Sequence, residues 1–430
     1  MPDLVPRQAL LALRDRIDAF RVVVVNGPRQ AGKTTLLRIL ERERHGTYVS
    51  LDDPEFLTVA TTDPAAFVRY GKRPLIIDEV QRGGDPLVLS VKRMVDDSPV
   101  SGQFVLSGST RFLTVPTLSE SLAGRAVFVD LWPFSMTERV GVAGCFIDQL
   151  FADAGSLVGR ASSWQREDYL TVLCAGGYPE AVRFGRARNR SIWYQGYLDT
   201  VISRDIVQFA DIQRRHALPR LLELIAARSG SPLVVADLAN SLDISAATVR
   251  NYLSYLDTVF LVGLVQPWSS NLTHRVARAP KAFVTDSGLA AHLLGIDEHA
   301  LQRPGHPAMG GLVEAFVYSE LLKLASFSEL DIKIYHYRDR DGREIDFVLQ
   351  ARDGRIAALE VKSNLSPRGD DARQLRWLAT KLGDQFVAGA VLHMGEVNLP
   401  FGDKIYAMPI SALWGHTQLP TASHSGRGSR

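Results

Sequence analysis

The segment that most constrains the fold runs from Val22 to Leu40, "VVVVNGPRQAGKTTLLRIL". Residues 27–34 match the pattern G-x-x-x-x-G-K-[ST] at every fixed position. The run of four valines before them predicts a parallel strand buried on both faces. Helical spacing follows the pattern. A strand, a glycine-containing loop and a helix in this order predict an α/β fold built on a parallel sheet, with a phosphate-binding loop at one edge.

Each fixed position of this loop has a physical reason. Gly27 and Gly32 permit backbone angles that turn N–H groups inward around phosphate oxygens, and a helix N-terminus adds a positive dipole. Lys33 is expected to reach the β- and γ-phosphates, and the Thr34 hydroxyl to ligate Mg²⁺. We therefore predict ATP and Mg²⁺ as cofactors. The predicted nucleotide-binding residues of the loop are Gly27, Pro28, Arg29, Gln30, Ala31, Gly32, Lys33, Thr34 and Thr35.

A pair of acids follows a second apolar run, in "RPLIIDEV". Leu75 to Ile77 predict a short buried strand that ends at Asp78 and Glu79. Asp78 is expected to hold Mg²⁺, directly or through water, and Glu79 to orient and polarise the attacking water. Lys33 and Glu79 are thus the predicted catalytic residues of this part. The added Glu79 favours ATP hydrolysis over phosphate transfer, so a small-molecule kinase is the weaker alternative.

Two further residues are candidates for sensing the nucleotide. Ser107 lies at the end of a third predicted strand, in "GQFVLSGST", where ligands of open parallel sheets bind. The alternative is an ordinary Ser- and Gly-rich turn. Arg125 precedes another apolar strand in "LAGRAVFVDL". It is a candidate arginine finger or sensor, in cis or from a neighbouring subunit, and the alternative is a surface arginine.

Charge and composition exclude several protein classes. The net charge of +2 gives no global basic signature for nucleic acid. The two cysteines, Cys145 and Cys174, form no disulfide framework and lack metal-ligand spacing. The N-terminus has no signal-peptide pattern, and no apolar run of about 18 residues predicts a membrane span. We expect a soluble cytoplasmic protein without a membrane partner.

The motifs taken together resemble a widespread prokaryotic group of AAA-type ATPases that carry a C-terminal domain of unknown function. The segments that carry the resemblance are "GPRQAGKTTLL", "YVSLDDPE", "PLIIDEVQR", "FVLSGST" and "LAGRAVFVDLWPFS". The likeness extends from about Val22 to about Leu378. In that group a Gln recurs after the two acids, and Gln81 matches it.

The middle of the chain is predicted to be helical. Residues 135–213 are expected to form a lid or connector, in which an exposed helix face explains Arg204 and Asp205. Residues 214–275 contain a helix-turn-helix pattern followed by "VFLVGLV", a candidate wing. Arg250 is the only cation on the second helix, so DNA contact and a packing role both remain open.

The last third carries acids and a lysine in "DGREIDFVLQARDGRIAALEVKSNL". Glu360 and Lys362 share one face of a strand, because residues two apart point the same way. With Asp346 on the preceding strand and Glu314 on an upstream helix, they resemble the PD-(D/E)XK nuclease superfamily, although the Pro-Asp dipeptide is replaced by Glu-Ile-Asp. The resemblance implies catalytic roles for Asp346, Glu360 and Lys362, and metal binding by Asp346, Glu360 and Glu314.

These observations predict an α/β protein of linked modules. The predicted modules are a P-loop AAA-type ATPase core over 1–134, a helical lid over 135–213, a winged-helix-like region over 214–275, a nuclease-like domain over 276–414 and a disordered tail over 415–430. The leading hypothesis is an ATP-hydrolysing protein that acts on DNA or RNA. The alternative is a regulatory ATP switch whose C-terminal domain binds protein or DNA without cutting. A protein partner and a homo-oligomer are compatible with both.

Overall fold

The computed structural model describes residues 4–111, 122–159, 161–207, 214, 216–269 and 279–419. The predicted fold class is confirmed, beginning with an N-terminal sheet of five parallel strands in the order β2-β3-β4-β1-β5. Its strands are β1 Val22–Asn26, β2 Thr47–Ser50, β3 Leu75–Asp78, β4 Phe104–Gly108 and β5 Ala126–Asp130. Helices α1 Ala9–Ala19, α2 Lys33–Arg44, α3 Pro54–Thr62, α4 Pro64–Phe67 and α5 Gly84–Asp97 accompany this sheet.

The valine run of β1 is explained by burial on both faces of the sheet. Val22 and Val24 pack into one core with residues of α5, and Val23 and Val25 pack into another with residues of α1 and α2. All four valines are fully buried. Side chains alternate between the two faces of a strand, so a continuous apolar run is what a sheet covered on both sides requires.

In the described part of the middle region, eight helices follow. They are α6 Met136–Val140, α7 Phe146–Asp153, α8 Arg166–Ala175, α9 Pro179–Arg183, α10 Ala187–Thr200, α11 Ala217–Ala227, α12 Val235–Leu242 and α13 Ala246–Thr258. A π-helical turn, Val201–Ile206, continues α10. Helices α12 and α13 form the predicted helix-turn-helix, and the Ser245 hydroxyl caps α13 by accepting a hydrogen bond from the Thr248 N–H at 3.0 Å.

The C-terminal part is a mixed sheet of eight strands in the order β12-β13-β11-β10-β9-β8-β6-β7. Its strands are β6 Val262–Pro267, β7 Lys281–Val284, β8 Ile332–Arg338, β9 Glu344–Ala351, β10 Ile356–Lys362, β11 Phe386–His393, β12 Leu399–Gly402 and β13 Ile405–Pro409. The accompanying helices are α14 Ser287–Leu293, α15 Glu298–Leu301, α16 Met309–Phe327 and α17 Arg373–Leu382. Short 3₁₀ helices span Val80–Gly83, Ala154–Leu157, Gly369–Ala372, Gly383–Gln385 and Ile410–Trp414. Within the described ranges, no helix combines the length and the apolar character that a membrane crossing needs.

Two predicted module boundaries differ from the structure. Strand β6, predicted as a wing, pairs with β7 in antiparallel and with β8 in parallel orientation, so the boundary at residue 275 runs through a continuous sheet. The predicted disordered tail begins too early. The His416 N–H donates to the Ser411 carbonyl at 2.9 Å, and the Trp164 indole N–H donates to the Thr417 carbonyl at 3.0 Å. Residues 420–430 of that tail lie outside the described residues.

Candidate functional site

The loop between β1 and α2 is tightly packed at two glycines. A Cβ at Gly27 would lie 2.2 Å from the carbonyl oxygen of Leu131. Gly32 has a φ of 99° and directly precedes the first residue of α2, a conformation that favours glycine. The Arg7 guanidinium donates to the Ala31 carbonyl at 2.7 Å and fixes the loop from outside. The two glycines of the pattern are therefore required by backbone geometry.

Lys33 is a buried cation at the start of α2. Its ammonium donates to the carbonyls of Gly27 and Pro28 at 2.8 and 2.9 Å. Burial lowers the pKa of Lys33. A phosphate oxygen beside this ammonium would compensate its lost hydration, so the loop fits a bound polyphosphate. Gln30 and Thr35 are exposed beside it.

The carboxylate of Asp78 joins the ends of several strands. Its Oδ2 accepts hydrogen bonds from the hydroxyls of Thr34 and Tyr48, both at 2.8 Å. Its Oδ1 accepts from the Ser107 hydroxyl at 2.6 Å and from the Glu79 N–H at 3.1 Å. Asp78 is 3% exposed. An oxygen-rich pair of carboxylate and hydroxyl suits Mg²⁺, which prefers such ligands. The structure thus brings the predicted residues Thr34, Asp78 and Ser107 together with Tyr48, which the sequence analysis did not single out.

Glu79 adopts a conformation that is uncommon for a residue with a side chain. Its φ and ψ are 56° and 42°, in the left-handed region. The Gln81 amide donates to its carboxylate at 2.5 Å. Burial raises the pKa of Glu79. Left-handed residues other than glycine cost free energy and cluster at functional sites, which fits the predicted role of Glu79 beside the phosphates.

Arg29 connects the loop to the helical middle region. Its guanidinium makes a bidentate ion pair with Asp205, with N–O distances of 3.0 and 2.8 Å. The expectation of an exposed Asp205 is wrong, because Asp205 is 3% exposed in the π-helical turn. Arg204 beside it is exposed. The segment was misinterpreted because its partner lies 176 residues away in sequence.

Arg125 lies at the wrong edge of the sheet to contact a nucleotide on its own subunit. It precedes β5, whose first residue pairs with Val22, the first residue of β1. The phosphate-binding loop follows the opposite end of β1. The Arg125 guanidinium instead pairs with Asp96 on α5. The proposed role in cis is therefore incorrect, and a role in a neighbouring subunit stays a prediction.

The second cluster of charged residues contains a lysine that the sequence did not indicate. Lys281, on β7, is fully buried, and its ammonium lies 2.9 Å from Glu314, 3.0 Å from Glu344 and 3.4 Å from Asp346. Burial alone would lower the pKa of Lys281. The attraction of Asp346, Glu314 and Glu344 outweighs burial, so its pKa is raised. Lys281 is the first residue of a short apolar strand, where a lysine usually indicates a solvated strand end. For this reason its burial was not predicted from the sequence.

Glu360 and Lys362 lie beside this group on β10. The Lys362 ammonium donates to the Glu360 carboxylate at 3.2 Å, and the Val361 N–H donates to Asp346 Oδ2 at 2.9 Å. Burial, and then the charge of Asp346, raise the pKa of Glu360 to about 9. Burial and Asp346 likewise raise the pKa of Glu314 to about 7. The predicted strand pairing of β9 with β10 places these residues side by side.

The predicted metal set of the C-terminal domain needs correction. In the described part of the chain, no three His, Cys, Asp or Glu side chains converge in a way that could hold a metal ion. Glu314 and Asp346 point at the ammonium of Lys281, and Glu360 pairs with Lys362. The residue types of a metal site are present, but amino groups lie between the carboxylates. As they stand, these residues do not fit a divalent ion.

The helix-turn-helix contacts the ATPase sheet at the end of α13. Arg111, just beyond β4, donates its backbone N–H to the Thr258 carbonyl at 2.8 Å and its side chain to the Asp257 carbonyl at 3.1 Å. Arg250, on the exposed side of α13, faces solvent. These contacts support the packing role of the pair of helices, and DNA contact through Arg250 stays a prediction.

Comparison with known families finds three successive matches. An AAA domain matches residues 19–140. A domain of unknown function (DUF8612) matches residues 166–300, and a second one (DUF4143) matches residues 309–413. The phosphate-binding loop, Asp78 and Glu79 fall in the first match, Lys281 falls in the second, and the acids it contacts fall in the third. The Lys281 cluster is therefore formed by residues of two successive matched segments, 166–300 and 309–413.

Two curated relatives match most of the chain. The uncharacterized proteins Rv2008c of Mycobacterium tuberculosis and Mb2031c of Mycobacterium bovis are each 30% identical over 409 residues. The alignment covers 95% of this chain and 84% of each relative.

Among solved structures, the Walker-type ATPase PABY2304 of Pyrococcus abyssi aligns with a TM-score of 0.38 and 15% identity. That alignment covers 68% of this chain and 96% of the other. The RuvB T158V protein of Thermotoga maritima aligns with a TM-score of 0.29 and 22% identity, over 59% of this chain and 85% of the other.

The raised pKa of Glu360 predicts how stability depends on pH. Between pH 4.5 and about 9 the folded state holds the Glu360 proton more tightly than the unfolded state, so the free energy of unfolding falls as pH rises. Glu360→Gln removes this contribution and makes the decline shallower by up to about 1.4 kcal/mol per pH unit. Urea unfolding at several pH values in this range measures the slope.

The control for this prediction is Glu329→Gln, a change of the same type at an exposed position. This variant should keep the slope of the wild type. If Glu360→Gln and Glu329→Gln both follow the wild-type pH dependence, Glu360 does not retain a proton in the folded protein.

Proposed function

The chain belongs to the same family as the mycobacterial proteins Rv2008c and Mb2031c and carries an AAA-type P-loop ATPase domain, and on this premise we propose that it is an ATP-hydrolysing switch. ATP would bind at the carboxyl edge of the five-stranded sheet. The difference between the states before and after ATP hydrolysis would be transmitted to the helical middle region through Arg29 and Asp205.

The observation that carries this proposal is the contact between the phosphate-binding loop and the Asp78-Glu79 pair at the end of β3. The Thr34 hydroxyl lies 2.8 Å from the Asp78 carboxylate, and the buried Lys33 ammonium lies on the adjoining turn. Thr34 and Asp78 would hold Mg²⁺, and Lys33 would neutralise phosphate charge. Mg·ATP, when bound, supplies a phosphoryl group whose transfer to water is favourable.

Glu79 is the proposed base for the attacking water. Burial raises its pKa, which strengthens it as a proton acceptor once it is ionised. Gln81 holds one carboxylate oxygen through its amide N–H, and its own side-chain oxygen is buried without a hydrogen-bond partner in the described structure. That oxygen is suited to accept a hydrogen bond from the same water.

The Arg29–Asp205 ion pair supplies the proposed conformational element. Arg29 lies on the phosphate-binding loop, and its guanidinium is 33% exposed while the Asp205 side chain is 3% exposed. A triphosphate on this loop would attract the same guanidinium that Asp205 holds. ATP would then compete with Asp205, and a buried carboxylate that loses its partner favours a rearrangement of the π-helical turn.

Action on DNA or RNA through the C-terminal domain is the second candidate function. The observation in its favour is the grouping of Asp346, Glu360 and Lys362 on neighbouring strands. The ion pairs of Lys281 count against it, because they occupy two of the three proposed metal ligands. For this reason the switch, with a C-terminal domain that binds protein or nucleic acid without cutting it, is preferred.

A nuclease assay distinguishes these two functions. DNA and RNA would be incubated with the protein in Mg²⁺ or Mn²⁺, with and without ATP. Cleavage that disappears in Glu360→Gln and Lys362→Ala would establish the nuclease. ATP hydrolysis without cleavage of either polymer would establish the switch.

A homo-oligomer is the setting in which Arg125 could still contact a nucleotide. Its guanidinium pairs with Asp96 at the amino edge of the sheet and is 30% exposed. Only a neighbouring subunit could bring this group to the carboxyl edge, where the phosphates would lie. The arginine-finger role is proposed in that form alone.

Glu79→Gln is expected to separate ATP binding from hydrolysis. The amide cannot accept the proton of the attacking water, so the steady-state turnover should fall by about 10²–10⁴-fold while the affinity for ATP is kept. Phosphate release and fluorescent-nucleotide binding measure the two quantities. Glu55→Gln, an exposed acid on α3, is the matched control and should leave both unchanged. Full turnover in Glu79→Gln would remove Glu79 from the reaction.

Asp205→Asn tests the proposed competition for Arg29. Because the amide holds the guanidinium less strongly, ATP should bind about 3- to 10-fold more tightly than to the wild type. The measurement is equilibrium ATP binding in the Glu79→Gln background, which prevents hydrolysis. Arg204→Gln, a substitution at the neighbouring exposed position, is the control. Unchanged or weaker binding in Asp205→Asn would show that Arg29 does not exchange between Asp205 and phosphate.

A further inference from the structure

The contacts of Lys281 lead to a conclusion about the acidic cluster that is independent of ATP hydrolysis. We infer that the Lys281 ammonium is the resident cation of the cluster formed by Glu314, Glu344 and Asp346, and that the wild-type cluster takes no divalent metal. The amino group does the work that a metal ion does in other groups of converging carboxylates.

The first argument is the set of carboxylates that contact the ammonium. An ammonium group has three N–H donors. Lys281 has three carboxylate partners, at N–O distances of 2.9, 3.0 and 3.4 Å. The ammonium donates hydrogen bonds to Glu314 and Asp346 and forms an ion pair with Glu344. The ammonium therefore occupies the position at which these three carboxylates face one another.

The second argument is the anchoring of Lys281 in the fold. Its side chain is fully buried, and its backbone pairs with Val265 on β6 and forms a bridge to Pro232. A side chain that begins in the interior of the protein has no short route to solvent. Glu314 is confined as well, because a Cβ at Gly230 would lie 2.1 Å from its Oε2. The ammonium is thus a fixed part of the cluster.

The third argument is electrostatic. A divalent ion bound to Glu314 or Asp346 would lie next to the fixed positive charge of Lys281. The neighbouring acid, Glu360, accepts a hydrogen bond from the Lys362 ammonium at 3.2 Å. Asp346 uses its second oxygen to accept the Val361 N–H at 2.9 Å. A metal would have to displace these partners and lie beside two ammonium groups, which is unfavourable.

The test is a titration with Mn²⁺ alone, without nucleotide, followed by calorimetry and by the shift of the melting temperature. All proteins carry Asp78→Asn, so that the phosphate-binding edge does not contribute a metal site. We expect Asp78→Asn protein to bind Mn²⁺ with a Kd weaker than about 1 mM. Adding Lys281→Met should create one site that binds at least about 10-fold more tightly, because three carboxylates lose their cation.

Two further variants make the result specific. Lys323→Met removes another buried lysine, whose ammonium lies 2.8 Å from the Glu320 carboxylate and outside the Lys281 cluster. This variant should create no Mn²⁺ site. Lys281→Arg keeps a cation in place, and it should also create none. If Lys281→Met fails to fold, Mn²⁺ titration of the Asp78→Asn protein with and without Asp346→Asn still tests the inference.

Two results would overturn the inference. One is stoichiometric Mn²⁺ binding by the Asp78→Asn protein that disappears on adding Asp346→Asn, since the native acids would then hold a metal despite Lys281. The other is a folded Lys281→Met variant that gains no Mn²⁺ site. Neither result would bear on ATP binding, because that is measured at the phosphate-binding loop in proteins that keep Asp78.

Discussion

The arrangement of the ATPase half depends on the hydrogen bonds that the buried Asp78 carboxylate accepts. In the sheet order, β4 lies between β1 and β3. Asp78 ends β3, Ser107 lies on β4 and Thr34 follows the loop after β1, so one carboxylate joins the ends of three adjacent strands. Four hydrogen bonds compensate the burial of its charge. This alignment brings Lys33, Asp78 and Glu79 together at the carboxyl ends of the parallel strands.

Helix α16 connects the ATPase half to the C-terminal sheet. Near its middle, the Glu320 carboxylate accepts the Met136 N–H at 2.8 Å, and the Lys323 ammonium donates to the Phe134 carbonyl at 3.0 Å. Both contacts lie just beyond β5. Near the start of the same helix, Glu314 pairs with Lys281. A single helix thus contacts both the segment that follows β5 and the Lys281 cluster.

The sequence predicted the parts of the molecule that follow from local patterns. The buried valine strand, the glycine loop, the Asp-Glu pair and the helix-turn-helix all lie where their residues indicated, because periodicity and backbone requirements are local properties. The roles assigned to Lys33, Asp78 and Glu79 stay predictions, although the structure brings these residues together. Tyr48 escaped notice because a tyrosine in a strand usually indicates core packing.

Several failures of the sequence analysis involve partners far apart in the chain. Asp205 is buried because Arg29 reaches it, and Lys281 is buried because three carboxylates surround it. Neither pairing leaves a local signal. The candidate wing became part of a larger sheet for the same reason, since β6 found its parallel partner, β8, beyond the following helices. Long-range ion pairs and strand pairing are set by the tertiary fold, and a single sequence does not reveal them.

Equilibrium binding of ATP in the presence and absence of Mg²⁺, compared between the wild type and Lys33→Ala, tests the central claim most directly. If the loop and Asp78 together hold Mg·ATP, the wild type should bind ATP more tightly with Mg²⁺ than without it. Lys33→Ala should lose most of that affinity, because it removes the buried cation that faces the phosphates. Equal ATP affinity in the two proteins, or affinity that Mg²⁺ does not change, would contradict the account.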